Sequence, residues 1–180
     1  MAAVTLSVAF ESMATAAFPV DTVASATPLS AEKMPSLLDL FLGNYGGAIG
    51  ETCTLALLIG FAYLLIRRVI TWHIPVVFIG TVFLFSLVWT GFDAVSALSY
   101  TLAGGVFIGA IFMATDYVTS PSTAWGKVIF GFGAGLLTCL IRHFGIYPEG
   151  VSFAILFMNI LTPYINRWTR KKAFAGGVQA

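Results

Sequence analysis

Charge is what this sequence has least of. Only 9% of its 180 residues are Asp, Glu, Lys or Arg, against about 25% in a soluble globular domain. With 58% hydrophobic residues and a net charge of +1, the chain cannot clothe itself in a water-compatible surface. That excludes a free soluble domain and offers nucleic acid no basic face. Cysteine is almost as scarce. Cys53 and Cys139 lie in separate apolar runs with no Cys-x-x-Cys, whereas an iron–sulfur cluster held by one chain would need four. They read as small buried hydrophobes, and a disulfide between them stays open. His73 and His143 stand singly at the edges of apolar runs, which points to interfacial hydrogen bonding and away from a metal centre. No Gly-x-Gly-x-x-Gly is present to cradle a dinucleotide. Residues 1–20 are apolar apart from Glu11 but lack the basic start of a secretory signal. They read as the end of a preceding hydrophobic segment, so the chain is expected to be a piece of a longer protein.

What the sequence has in abundance is long uncharged apolar stretches, over 52–66, 74–92, 94–115, 128–141 and 150–166. Each approaches the ~20 residues that cross a bilayer as a helix. The expected fold is therefore an all-α, polytopic membrane protein of five transmembrane helices, the fourth being the shortest run. Residues 1–20 end a preceding segment, 21–50 form an outer loop, 51–166 form the five-helix domain and 167–180 form a tail. With alternating crossings, Arg67, Arg68, Lys127, Arg167, Arg170, Lys171 and Lys172 fall on one side, leaving Lys33 and Arg142 on the other. Positive residues stay inside. The carboxyl terminus is thus expected in the cytoplasm and residues 21–50 outside.

Glycine pairs at four-residue spacing, Gly105/Gly109 and Gly131/Gly135, suit close approach of helix backbones in lipid. The denser run GNYGGAIGE (43–51) suggests irregular backbone leading into a helix near Glu51, whose carboxylate would sit at a helix amino terminus or beside an ion path. Asp116, in FMATDYVTSP (112–121), follows the third run among Thr115, Thr119 and Ser120. Such a polar break marks either an ion path or an ordinary loop entrance. In DTVASATPL (21–29), Pro28 biases Thr27 toward extended backbone. Ala24, Ser25 and Ala26 leave room around its hydroxyl. That hydroxyl could accept a modification from an enzyme that supplies the base, or simply cap a short helix ahead of Pro28.

Four blocks, DTVASATPL (21–29), GAIGET (47–52), FMATDYVTSP (112–121) and LIRHFGIYPEGVSFAILFMN (140–159), occur in an order that resembles the carboxyl-terminal half of the RnfD family, membrane subunits of the Rnf complex. More distantly they are similar to the NqrB family of the sodium-translocating NADH:quinone reductase. Those families carry an Asp-x-x-Ser/Thr-Gly-Ala-Thr pattern whose threonine is joined to FMN through a phosphoester. Asp21, Ala26 and Thr27 match it, while Ala24 stands where Ser/Thr is usual and Ser25 where Gly is usual. Tyr117 stands where the family often has Pro.

The resemblance implies five helices forming one repeat of a two-repeat fold, and covalent FMN on Thr27. Asp21, Ser25 and Ala26 would be read by a flavin transferase. It leaves room for a second, non-covalent flavin in the other half. The implied partners are other Rnf subunits, membrane lipid, and Na+ or H+. The implied setting is a bacterial or archaeal plasma membrane, where electrons pass between ferredoxin and NAD. A channel or permease, or a flavin-free scaffold of the same complex, are the competing expectations.

Overall fold

The computed structural model describes residues 36–43, 50, 52–145 and 150–169. Among them every regular element is a helix: α1 Leu37–Leu42, α2 Thr54–Ile66, α3 His73–Trp89, α4 Ala94–Leu102, α5 Val106–Met113, α6 Ala124–Phe144 and α7 Val151–Thr169. The helices fall where the apolar runs predict them, with three corrections. The run 94–115 is not one helix. It breaks at 103–105 into α4 and α5, which meet at a bend of 65°. The helix expected near Glu51 begins at Thr54, where Cys53 takes the N-cap and its sulfur accepts from the Ala56 N–H. Glu51 itself lies outside the described residues.

The third correction concerns α6, expected from the shortest run. At 21 residues it is the one described helix both long and apolar enough to cross a membrane, or one of two if the bent α4–α5 pair is a single span. Its 21 residues rise about 31 Å, close to the ~30 Å hydrocarbon thickness. The uncharged run understated it because Lys127 and Arg142 lie within its ends. Thr123 starts the helix by accepting the Gly126 N–H.

Helix directions follow from what packs on what. Gly131 meets Ile74 and Val77, Gly135 meets Phe78 and Thr81, and the Cys139 thiol donates to the Val82 carbonyl, so α3 and α6 run parallel. Gly126 meets Thr169, Gly133 meets Met158 and Gly150 meets Ile141, so α7 runs antiparallel to α6. The expectation that Gly131 and Gly135 serve close packing holds. A Cβ at Gly131 would stand 3.0 Å from the Ile74 carbonyl oxygen, and one at Gly135 would stand 2.7 Å from Thr81 Cβ.

Phe78, Val82, Val106, Ala110, Phe130, Ala134, Ile155 and Met158 fill the seam among α3, α5, α6 and α7. A second cluster of Leu40, Leu102, Ala103, Phe107 and Ile111 lies under α1 and α2. Thr54 ties these two helices by donating to the Leu40 carbonyl at 3.2 Å. Large apolar side chains also point outward, among them Ile59, Leu84, Phe153, Leu156 and Ile160, all more than 60% exposed. Water would not tolerate such a continuous apolar outside, and lipid does.

The α3–α6 seam sets a clear expectation. Gly135→Val should lower stability by about 1–3 kcal/mol, because the added carbons meet backbone and a β-branched side chain that cannot yield. Gly80→Ala, where nothing lies within 4 Å of the new carbon, should be neutral or slightly stabilising. Thermal unfolding in detergent followed by tryptophan fluorescence separates the two, and equal midpoints would remove the seam from the account of packing.

Candidate functional site

The break between α4 and α5 is built by a short sequence, Ala103-Gly104-Gly105. Ala103 leaves helical geometry with ψ 137, Gly104 takes φ 74, where an L side chain would be strained, and Gly105 caps α5. Ending a helix leaves carbonyls without intrahelical donors, and here Ala103 presents one that is buried and Tyr100 one that is part-buried. Arg142 answers them. It is 7% exposed, and its guanidinium donates to the Tyr100 carbonyl at 2.8 Å and to the Ala103 carbonyl at 3.1 Å. A cation at a helix carboxyl terminus also opposes the negative end of the dipole. Hydrogen bonds from a charged donor contribute about 1.5–3 kcal/mol each. Arg142, a flanking charge by its place in the sequence, is therefore a structural cation inside the protein.

Beside Arg142 lies a cavity of about 200 Å³, walled by Ser86, Trp89, Thr90, Tyr100, Cys139 and His143 together with the arginine. Trp89 and His143 stack with ring centroids 4.1 Å apart and an interplanar angle of 12°. Both histidines lie against tryptophan rings. His143 packs ring on ring, and His73 stacks on Trp72 at 4.4 Å with its Nδ1 buried and lacking a hydrogen-bond partner. Both cysteines are free thiols, and no group of three His, Cys, Asp or Glu among the described residues could hold a metal ion. Sequence reasoning passed over this cavity. Its one signal was an arginine next to an uncharged run in LIRHFG (140–145).

The predicted site residues fare unequally. Thr27, Asp21, Ser25, Ala26 and Glu51 lie outside the described residues. Asp116 is exposed in the turn after α5. Its carboxylate accepts from Thr119 Oγ1 at 3.1 Å, and its backbone carbonyl accepts from the Ser120 N–H. Thr115 does not join it, because its hydroxyl donates back to the Ile111 carbonyl. The same turn is anchored at its far end by Asn166, whose Oδ1 accepts from the Ser122 N–H at 3.0 Å. Just before it, α5 widens at Gly109–Met113 into a π-helical turn, closed by Ala114 N–H to the Gly109 carbonyl at 2.7 Å.

A buried arginine, a helix broken inside the protein and an apolar exterior define the class: an all-helical membrane subunit in which irregular backbone is tolerated because protein surrounds it. The chain belongs to the NQR2, RnfD, RnfE family, whose pattern it matches over residues 1–175. It is 47% identical over 162 residues to the D subunit of the Na(+)-translocating ferredoxin:NAD(+) oxidoreductase complex of Acetobacterium woodii, a match covering 86% of this chain and 50% of that one. To the D subunit of the proton-translocating ferredoxin:NAD(+) oxidoreductase complex of Clostridium ljungdahlii it is 45% identical over 174 residues, covering 86% and 52%. To the D subunit of the ion-translocating oxidoreductase complex of Stutzerimonas stutzeri it is 42% identical over 142 residues, covering 77% and 40%. The chain spans about half the length of these relatives.

The exposed start of α4 offers a test by pH. Asp93 caps the helix. Hydrogen bonds from the Ser96 hydroxyl and the Val95 N–H hold its carboxyl below the ordinary value. A depressed folded-state pKa gives stability that is full above the unfolded value of about 3.9 and is lost as pH falls through the folded value. Asp93→Asn keeps a capping oxygen and removes that dependence. Melting midpoints from pH 7 to pH 3 should therefore fall less steeply in the variant, and parallel curves would show that the cap contributes nothing through its charge.

Proposed function

We propose that this chain forms part of the membrane subunit of an ion-translocating complex that passes electrons between ferredoxin and NAD and couples their flow to Na+ or H+. The observation that carries this reading is the pair of relatives at 45–47% identity, each the D subunit of a ferredoxin:NAD(+) oxidoreductase complex, one Na(+)-translocating and one proton-translocating. In this reading the membrane is the bacterial or archaeal plasma membrane, with the Thr27 loop outside and the carboxyl terminus in the cytoplasm. Lipid and other subunits of the complex cover the apolar exterior.

The group proposed on Thr27 is FMN, which when bound supplies reversible one- and two-electron chemistry. The donor set in DTVASATPL fits a phosphoester. Thr27 offers a hydroxyl beside small residues, and Pro28 favours the extended backbone that presents it. The nine residues contain Asp21 as their one titratable side chain, so a separate transferase activates the hydroxyl and reads Asp21, Ser25 and Ala26. Ala24 and Ser25 depart from the family's pattern, which specifically favours a second reading, a flavin-free subunit of the same complex. Thr27→Val removes the oxygen and keeps the shape. In a host with the transferase, the unmodified chain should carry flavin through denaturing electrophoresis, and the variant should carry none by peptide mass spectrometry. Flavin on both overturns the assignment to Thr27, and flavin on neither supports the flavin-free subunit.

Asp116 is proposed to stand at the cytoplasmic mouth of the ion path, with Glu51 a second candidate acid. An exposed carboxylate hydrogen-bonded to Thr119 suits a mouth, where an ion is still hydrated, better than a dehydrated site. Asp116→Asn removes the charge at constant size. In reconstituted complex it should lower ion transport, or change its cation dependence, with flavin and assembly intact. Transport indistinguishable from the unmodified complex would make Asp116 an ordinary turn residue.

A further inference from the structure

Asn159 lies in the interior of α7, in an otherwise apolar stretch AILFMNIL (154–161). Its side-chain Oδ1 is buried and accepts no hydrogen bond. An amide oxygen with two lone pairs left empty in an apolar interior costs about 1–3 kcal/mol. The fold retains it without an internal donor. One turn on, Pro163 sits inside the helix. Proline has no N–H to give to the carbonyl four residues back, and that carbonyl belongs to Asn159 as well. A single residue therefore presents a side-chain oxygen without a donor and a backbone oxygen deprived of its helical one.

The position of these oxygens adds to their chemistry. Residues 155, 159, 162 and 166 share one face of α7 by helical spacing. At the upper end of that face Val151 and Ile155 pack on Gly109, where the π-helical turn begins. At its lower end Asn166 holds Ser122 in the turn that carries Asp116. Asn159 lies between these contacts, about 10.5 Å along the axis from Asn166. Asn159 thus stands on α7 one turn beyond Ile155, which packs on the widened turn of α5, and two turns before Asn166, which holds the Asp116 turn.

We propose that the Asn159 amide oxygen and backbone carbonyl are two ligands of a transient Na+ site on the ion path, between the Asp116 turn and the π-helical turn of α5. Hard cations take oxygen ligands, and rings of neutral carbonyl oxygens replace a cation's hydration shell in channels. Neutral ligands balance a monovalent charge only partly, which keeps the ion weakly held and able to leave. An amide oxygen does not take up a proton near neutral pH, so the site serves a metal cation and no proton relay. This assignment rests on the reading of the chain as part of an ion-translocating complex, and it chooses Na+ within that reading.

The experiment measures 22Na+ uptake and Na+-dependent turnover of the whole complex in proteoliposomes, with proton uptake recorded in parallel. Asn159→Leu removes the side-chain ligand and keeps the branched shape at Cγ. Pro163→Ala leaves the side chain in place and returns an N–H to the Asn159 carbonyl, a change that strengthens the helix and so guards against mere misfolding. Each should raise the Na+ concentration for half-maximal turnover, by about tenfold for the leucine variant and a few fold for the alanine variant, with flavin content and subunit composition unchanged. Asn159→Asp should make the Na+ response depend on pH where it did not before. An assembled Asn159→Leu complex with an unaltered Na+ response overturns the assignment. So does an unmodified complex that transports protons and ignores Na+, although the functional reading then survives. A complex that transports neither cation overturns both.

Discussion

The carbonyls of Tyr100 and Ala103 end a helix inside the protein, and the guanidinium of Arg142 satisfies them. The rest of the architecture depends on that contact. A backbone carbonyl left bare in an apolar interior costs several kcal/mol, so a break at 103–105 needs a donor, and Arg142 supplies it. The helices on either side of the break meet at 65°, and Tyr100 just before it walls the cavity with Trp89 and His143. The cation and the carbonyls justify each other's burial. Arg142 is stable there because helix-end oxygens surround it, and the helix can end there because Arg142 reaches them.

That contact spans 39 residues between Ala103 and Arg142, and it needs α6 at one height against the break. The glycine seam fixes the height. Gly131 and Gly135 let the α3 backbone approach α6 to contact distance, and Cys139 continues the register by donating to the Val82 carbonyl. One turn beyond Cys139 the next two side chains are Arg142, on the break, and His143, on Trp89. Packing in lipid offers no hydrophobic drive for helices to associate. Close backbone approach together with polar contacts across helices supplies it here.

On the other face of the bundle, α5 and α7 carry the remaining irregularities. The π-helical turn at Gly109–Met113 and the proline at 163 interrupt regular hydrogen bonding, and the amide oxygen of Asn159 lacks a donor, along a stretch whose two ends are tied by Gly109 to Val151 and Ser122 to Asn166. Interruptions of this kind raise the energy of a membrane helix unless something occupies the freed groups. Their confinement to one seam, away from the α3–α6 contact, separates a closely packed half of the bundle from a more polar one.

Much of this was legible from residues alone. Scarcity of charge put the chain in a membrane, hydropathy placed the helices to within a few residues, and the Gly131/Gly135 spacing marked α6 for close packing without naming α3 as its partner, because each of these is a local sum over neighbours in sequence. The four ordered blocks pointed to the family that the comparison over residues 1–175 established. Hydropathy could not show the break at 103–105, since Ala-Gly-Gly continues an apolar run as easily as it ends one. The outcome turns on a guanidinium that only the fold brings near. For the same reason Arg142 read as a flanking charge, and Thr115 as part of the polar break at Asp116 although its hydroxyl turns back to the Ile111 carbonyl. Sequence by itself determined what this chain dissolves in and where its helices lie. Tertiary structure decided which polar groups are satisfied, because a donor and its acceptor meet through space, and hydropathy records only what each residue is.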